Sequence, residues 1–117
     1  MDVLIIDDEK NIRKLLKEIF ELNEFSVDTA KNGKEGLELF EKHQYDLVFI
    51  DKRMPGLTGE EVIIKVRELD KEVPIYMISA FQTSIDLETI TNENITGMLM
   101  KPFSIDEVMK IARKHLG

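Results

Sequence analysis

One stretch limits this chain more than any other: Asp46-Leu47-Val48-Phe49-Ile50-Asp51-Lys52-Arg53-Met54-Pro55-Gly56. The apolar run has no polar alternation, which predicts a strand covered on both faces, as in a parallel sheet between layers of helix. It stops abruptly at a carboxylate and then turns at Pro-Gly. Open α/β sheets gather their ligands outside the carboxyl ends of their strands. Asp51 is therefore placed for chemistry.

The same pattern recurs along the chain. Val3-Leu4-Ile5-Ile6 is a second apolar run and ends in Asp7-Asp8-Glu9. Ile12, Leu15, Leu16, Ile19 and Phe20 follow at helical spacing with Lys and Glu between them, so a helix of about four turns is expected, with Asp8 as its N-cap. Asn23-Glu24 breaks it. Phe25 to Ala30 alternates and reads as an edge strand. Asn32 caps a helix carrying Leu37, Leu39 and Phe40, with Glu35 at the reciprocal position. After the Asp51 strand, Thr58-Gly59-Glu60-Glu61 is a capping box that opens a helix through Val62, Ile63, Val66 and Leu69. Pro74 to Ile78 is a strand ending in Ser79-Ala80. Gln82 to Asn94 has poor helix propensity, so a short helix is expected there. Gly97 to Met100 is the last strand, ending in Lys101-Pro102. Ser104-Ile105-Asp106-Glu107 is another capping box and opens a final helix through Val108, Ile111, Ala112 and Leu116. Five β-α units joined by right-handed crossovers imply an α/β fold, a parallel sheet with helices on both faces. The chain has 117 residues, and residues 1–117 are read as a single domain.

Composition narrows the function. The net charge of −7 argues against nucleic acid or a membrane surface as the main partner. The absence of cysteine excludes a disulfide framework and thiolate chemistry. Met1-Asp2-Val3 begins a strand with no basic leader, and no apolar run approaches the ~20 residues of a membrane span. A cytoplasmic location is expected.

A parallel sheet places its strand ends on one edge, so Asp7, Asp8, Asp51, Ser79 and Lys101 are expected in one pocket. An acid at a strand end is often only a helix cap, and Ser-Ala or Lys-Pro is often only a turn. Their coincidence on four of the five strands is what argues for a site. Clustered carboxylates repel, and burial raises the cost. Mg²⁺ suits such oxygen ligands and phosphate oxygens. Lys101 supplies a fixed positive charge, and Ser79 can donate to a phosphoryl oxygen. With no His or Cys at these strand ends, the available nucleophile is a carboxylate, whose product with a phosphoryl group is an acyl phosphate.

These motifs, Ile5-Ile6-Asp7-Asp8-Glu9, Asp51-Lys52-Arg53-Met54-Pro55-Gly56 with Gly59, Ser79-Ala80 and Lys101-Pro102-Phe103, resemble those of the receiver domains of two-component response regulators over essentially the whole chain. The resemblance implies a flavodoxin-like (βα)5 three-layer sandwich with strand order 2-1-3-4-5. It implies that Asp51 is the phosphoacceptor, fed by a sensor histidine kinase or a histidine phosphotransferase. Asp8 would bind Mg²⁺ directly, Asp7 through water, Asp51 as a further ligand and Arg53 through its backbone carbonyl. Ser79 would be the switch hydroxyl, Lys101 would contact the phosphoryl group, and the bond to Pro102 would be cis. Arg53 and Phe81 occupy positions that modulate dephosphorylation in the family. Met98 stands where the family usually has an aromatic switch residue, Ile95-Thr96 where it usually has Gly-Ala, and Ser79 where Thr is commoner.

The expected behaviour is that of a phosphoacceptor signalling domain and not an enzyme acting on other substrates. It would dock onto its partners through the first helix and the loops around Asp51. Leu15, beside Lys14, is a candidate contact, although a place in the core is the simpler reading. The downstream partner is not legible, and the alternative is a receiver belonging to a longer DNA-binding regulator. A flavodoxin-type flavin binder would need a Ser/Thr/Gly-rich phosphate loop where Asp7-Asp8-Glu9 stands. A dehalogenase-type phosphatase would need Asp-x-Asp there.

Overall fold

The computed structural model describes residues 2–80 and 95–117. The helix expected between Gln82 and Asn94, and Phe81, lie outside the described residues. The strands are β1 (Asp2–Ile6), β2 (Ser26–Ala30), β3 (Leu47–Asp51), β4 (Ile75–Ser79) and β5 (Gly97–Met100). The described helices are α1 (Lys10–Leu22), α2 (Gly33–Lys42), α3 (Gly59–Leu69) and α4 (Ile105–Leu116). All five strands are parallel, in the order β2-β1-β3-β4-β5.

The apolar runs become central strands because both of their faces are covered. Alternate residues of β1, β3 and β4 supply two separate cores. Leu4, Ile6, Val48, Ile50, Ile75 and Met77 pack with Leu37 and Phe40 of α2 and with Val62, Ile63 and Val66 of α3. Val3, Ile5, Leu47, Phe49, Tyr76 and Ile78 pack with Leu16, Ile19 and Phe20 of α1 and with Val108, Ala112 and Leu116 of α4. The sheet is thus sandwiched between α2/α3 and α1/α4, the three-layer, flavodoxin-like arrangement. β2 lies at one edge of the sheet and buries only Ala30 fully, which is why its sequence alternates.

Caps fix where the helices start. The Asn32 side chain accepts from the Glu35 N–H at 2.8 Å, and Ser104 accepts from the Glu107 N–H at 3.1 Å. Thr58 and Glu61 form the full reciprocal box. The expected cap at Asp8 is not formed. Glu9 occupies the N-cap of α1 without a side-chain cap, and its N–H donates instead to Asp7 Oδ1 at 2.8 Å. The buried carboxylate of Asp7 has taken the local turn, leaving Asp8 exposed. Leu15 is 39% exposed, so its placement in the core is corrected: Leu16 fills that place, and α1 turns Leu15 toward solvent. Leu69, in the last turn of α3, is also exposed. Among the described residues, no helix is long and apolar enough to cross a membrane.

A candidate phosphoryl and metal site at the strand ends

Strand register builds the site. Ile6 pairs with Ile50, so Asp7 and Asp51, the next residue of each strand path, emerge side by side. Ser79 pairs with Met100, so Lys101 follows at the end of the neighbouring strand. Backbone bonds pin these ends: Asp7 N–H to the Ala30 carbonyl at 3.0 Å, Lys52 N–H to the Ile78 carbonyl at 2.9 Å, and Lys101 N–H to the Ser79 carbonyl at 2.7 Å. The Lys101–Pro102 peptide is cis. Gly59 lets the loop after Asp51 close against its own strand, because a Cβ there would lie 2.5 Å from the Asp51 carbonyl oxygen and 2.8 Å from Lys52 Cα. Both obstacles are backbone and cannot rotate away.

Asp7 is fully buried, while Asp51 and Ser79 are 5% and 6% exposed. Oxygen atoms of Asp7, Asp8, Glu9 and Asp51 all lie within 4.8 Å of one another. The Lys101 ammonium faces this cluster, 2.7 Å from Glu9 Oε1, 3.5 Å from Asp7 Oδ2 and 3.8 Å from Asp51 Oδ2. Burial, and then the neighbouring Asp7 charge, push the Asp51 carboxyl up to about 8, with Lys101 pulling the other way. Burial raises Asp7 as well, against the Glu9 N–H and the Lys101 charge. For Lys101, burial disfavours the ammonium, but the Glu9 hydrogen bond and the Asp7 and Asp51 charges outweigh it and hold the pKa above its ordinary value.

The arrangement is short of positive charge. Asp7 Oδ2 is buried and has no hydrogen-bond partner among the described residues. An orphaned carboxylate oxygen beside three further carboxylates fits a divalent cation with oxygen ligands, which would satisfy that atom and relieve the repulsion. The strand ends thus bring together Asp7, Asp8, Asp51, Ser79 and Lys101. Arg53 stands two residues beyond Asp51, exposed in the loop to α3. Met98 is half-buried on β5, paired with Met77 and packed on the α2/α3 core, away from the carboxylates in sequence and register. Thr96 has backbone work: its hydroxyl accepts from the Ile75 N–H at 3.1 Å.

Sequence reasoning missed Glu9. It was legible only as the third acid of a run, yet it makes the shortest contact with Lys101. Its signal is a distance between β1 and β5, which are separated in the sheet by β3 and β4, and no local pattern carries that.

The profile of the response regulator receiver domain matches residues 3–113. The chain is 32% identical over 117 residues to sporulation initiation phosphotransferase F of Bacillus subtilis, covering 97% of this chain and 92% of that protein. It is 39% identical over 106 residues to a probable transcriptional regulator, ycf27, of Cyanidium caldarium, covering 91% of this chain but only 42% of the relative. Among solved structures it is similar to the response regulator TrrA of Thermotoga maritima in complex with Mg²⁺-BeF, at 36% identity and a TM-score of 0.85, covering 97% and 96% of the two chains. By profile, relatives and fold together, this chain belongs to the receiver domain family of two-component response regulators.

Proposed function

We propose that Asp51 accepts a phosphoryl group from a phosphohistidine of a sensor histidine kinase or histidine phosphotransferase. The observation that carries this reading is the position of the Asp51 carboxylate: at a strand end, among three other carboxylates and 3.8 Å from the Lys101 ammonium. A carboxylate oxygen of Asp51 attacks phosphorus, the P–N bond to the imidazole breaks, and the imidazole leaves with its electron pair, giving an acyl phosphate on Asp51. Asp7, Asp8, Asp51 and the carbonyl of Arg53 would hold Mg²⁺, which supplies charge neutralisation for the acids and for the incoming phosphoryl oxygens. Lys101 would bind one of those oxygens and Ser79 would donate its hydroxyl to another. A nearly full-length relative named as a phosphotransferase and a similar structure holding Mg²⁺-BeF support this reading.

The acyl phosphate adds negative charge to a site already short of cations. Recruiting Ser79 and Lys101 to it would shift the population of conformations at the β4 and β5 ends. Met98 would take part through its flexible thioether, and Arg53 and Phe81 would set how slowly the domain removes its own phosphoryl group. Docking is placed on α1 and the loops around Asp51, with exposed Leu15 as one contact. Residues 1–117 would act as one receiver domain, in the cytoplasm. The ycf27 relative, of which the chain spans 42%, supports a second reading in which the receiver serves a longer DNA-binding regulator.

The test is intact mass after incubation with Mg²⁺ and acetyl phosphate. One Mg²⁺-dependent phosphoryl adduct is expected on the wild type and none on Asp51→Asn. Failure of the wild type to form either the adduct or a beryllium fluoride complex would overturn the reading.

A further inference from the structure

The Lys101 ammonium is engaged by a carboxylate that the reaction above does not use. It lies 2.7 Å from Glu9 Oε1 but 3.5 Å from Asp7 Oδ2 and 3.8 Å from Asp51 Oδ2. Only the first distance is that of a charge-assisted hydrogen bond. The preference is unexpected on electrostatic grounds. The Glu9 side chain is 57% exposed and can be solvated, whereas Asp7 and Asp51 are buried and Asp7 Oδ2 has no hydrogen-bond partner among the described residues. Attraction alone would draw the ammonium inward to the buried pair. It is turned to the rim instead.

We propose that Glu9 is a positioning residue for phosphotransfer: it holds the Lys101 ammonium at the rim of the unphosphorylated site, and Lys101 exchanges Glu9 for phosphoryl oxygens as Asp51 is modified. This rests on the reading of Asp51 as the acceptor. Because Glu9 is exposed, the hold is weak, and pairs of this kind bias an equilibrium by no more than about fivefold. It therefore sets a rate and does not block the reaction.

Glu9 also belongs to the carboxylate cluster, so its charge favours a cation, and the test must separate charge from reach. Glu9→Gln keeps the reach but removes the charge, leaving Lys101 at most a weaker hydrogen bond to a neutral amide oxygen. Glu9→Asp keeps the charge, but its carboxylate is one methylene shorter and falls away from Lys101. Adduct formation with acetyl phosphate is followed by intact mass on the full chain across a Mg²⁺ titration. At saturating Mg²⁺, both variants are expected to react about two- to fivefold faster than wild type. The gain should be absent when each is combined with Lys101→Met. Glu9→Gln should need more Mg²⁺ for half-maximal rate, while Glu9→Asp should not. Melting temperature serves as the control, since a purely structural role would move it and leave the Lys101-dependent rate alone. A Glu9→Asp rate equal to or below wild type, or a gain that survives Lys101→Met, would overturn the proposal. Absence of any wild-type adduct would instead remove the acceptor reading beneath it.

Discussion

Phe49 and Asp51 stand two residues apart on β3 and are 0% and 5% exposed, yet burial acts on them with opposite sign. The Phe49 ring packs 5.6 Å from Phe20 and 5.9 Å from Tyr76, centroid to centroid, and every neighbour gains by excluding water. Asp51 loses solvation, meets Asp7 and Asp8, and has one ammonium 3.8 Å away. The body of the strand stabilises the fold, and its last residue draws on that stability to keep a carboxylate where its ionisation is unfavourable. The strand thus carries an electrostatically costly site on a well-packed body, and the two can be perturbed separately.

The largest effect should come from breaking the packed side. Phe49→Ala removes the centre of the aromatic row and leaves a cavity between α1 and the sheet, with an expected loss of about 3–5 kcal/mol in chemical denaturation. A loss below about 1 kcal/mol would mean that the row is not what holds α1 down.

Breaking the other side should change stability in the opposite direction. The Asp51 carboxyl titrates near 8 in the folded protein, against an ordinary value of 3.8. Between those pH values the folded state holds a proton that the unfolded chain releases. This contribution to stability therefore falls as pH rises from about 4 to 8 and levels off above 8. Asp51→Asn removes that slope. Without Mg²⁺ the variant is expected to be more stable than wild type by about 2 kcal/mol at pH 8 and to approach it near pH 4. Denaturation curves for both proteins across this range check the claim. Parallel pH profiles would show that burial of Asp51 carries no cost. Added Mg²⁺ should narrow the gap by stabilising the wild type in proportion to its concentration.

The contrast between strand body and strand end also explains what could be read before the fold was known. A run such as Leu47 to Ile50 has one simple solution, a strand covered on both faces, and the alternation of helix and strand then fixes the layers. The strand ends were legible because a parallel sheet collects them on one edge wherever the helices go. Two kinds of detail were not. Local competition among adjacent acids decided that Asp7, through the Glu9 N–H, and not Asp8, shapes the start of α1. The engagement of Lys101 with Glu9 depends on side chains reaching across the ends of β3 and β4, a property of the assembled edge and not of any segment. Helical spacing also left Leu15 and Leu16 equivalent, since both fit an apolar stripe about half a turn wide.

The smallest expected effect tests that last distinction. Leu15 and Leu16 are neighbours of identical chemistry, 39% and 0% exposed. If burial and not residue type sets the energy, Leu16→Ala should cost about 2–5 kcal/mol, and Leu15→Ala should stay within about 0.5 kcal/mol of wild type. Equal losses would mean that Leu15 also packs in the core. A negligible loss at Leu15 leaves an apolar side chain exposed on α1, with no structural reason to be a leucine. The same variant, folded and still phosphorylated by acetyl phosphate, then isolates docking. A slower transfer from a phosphohistidine protein with an unchanged rate from the small donor would assign Leu15 to the partner surface. Equal slowing with both donors would place its effect on the site itself.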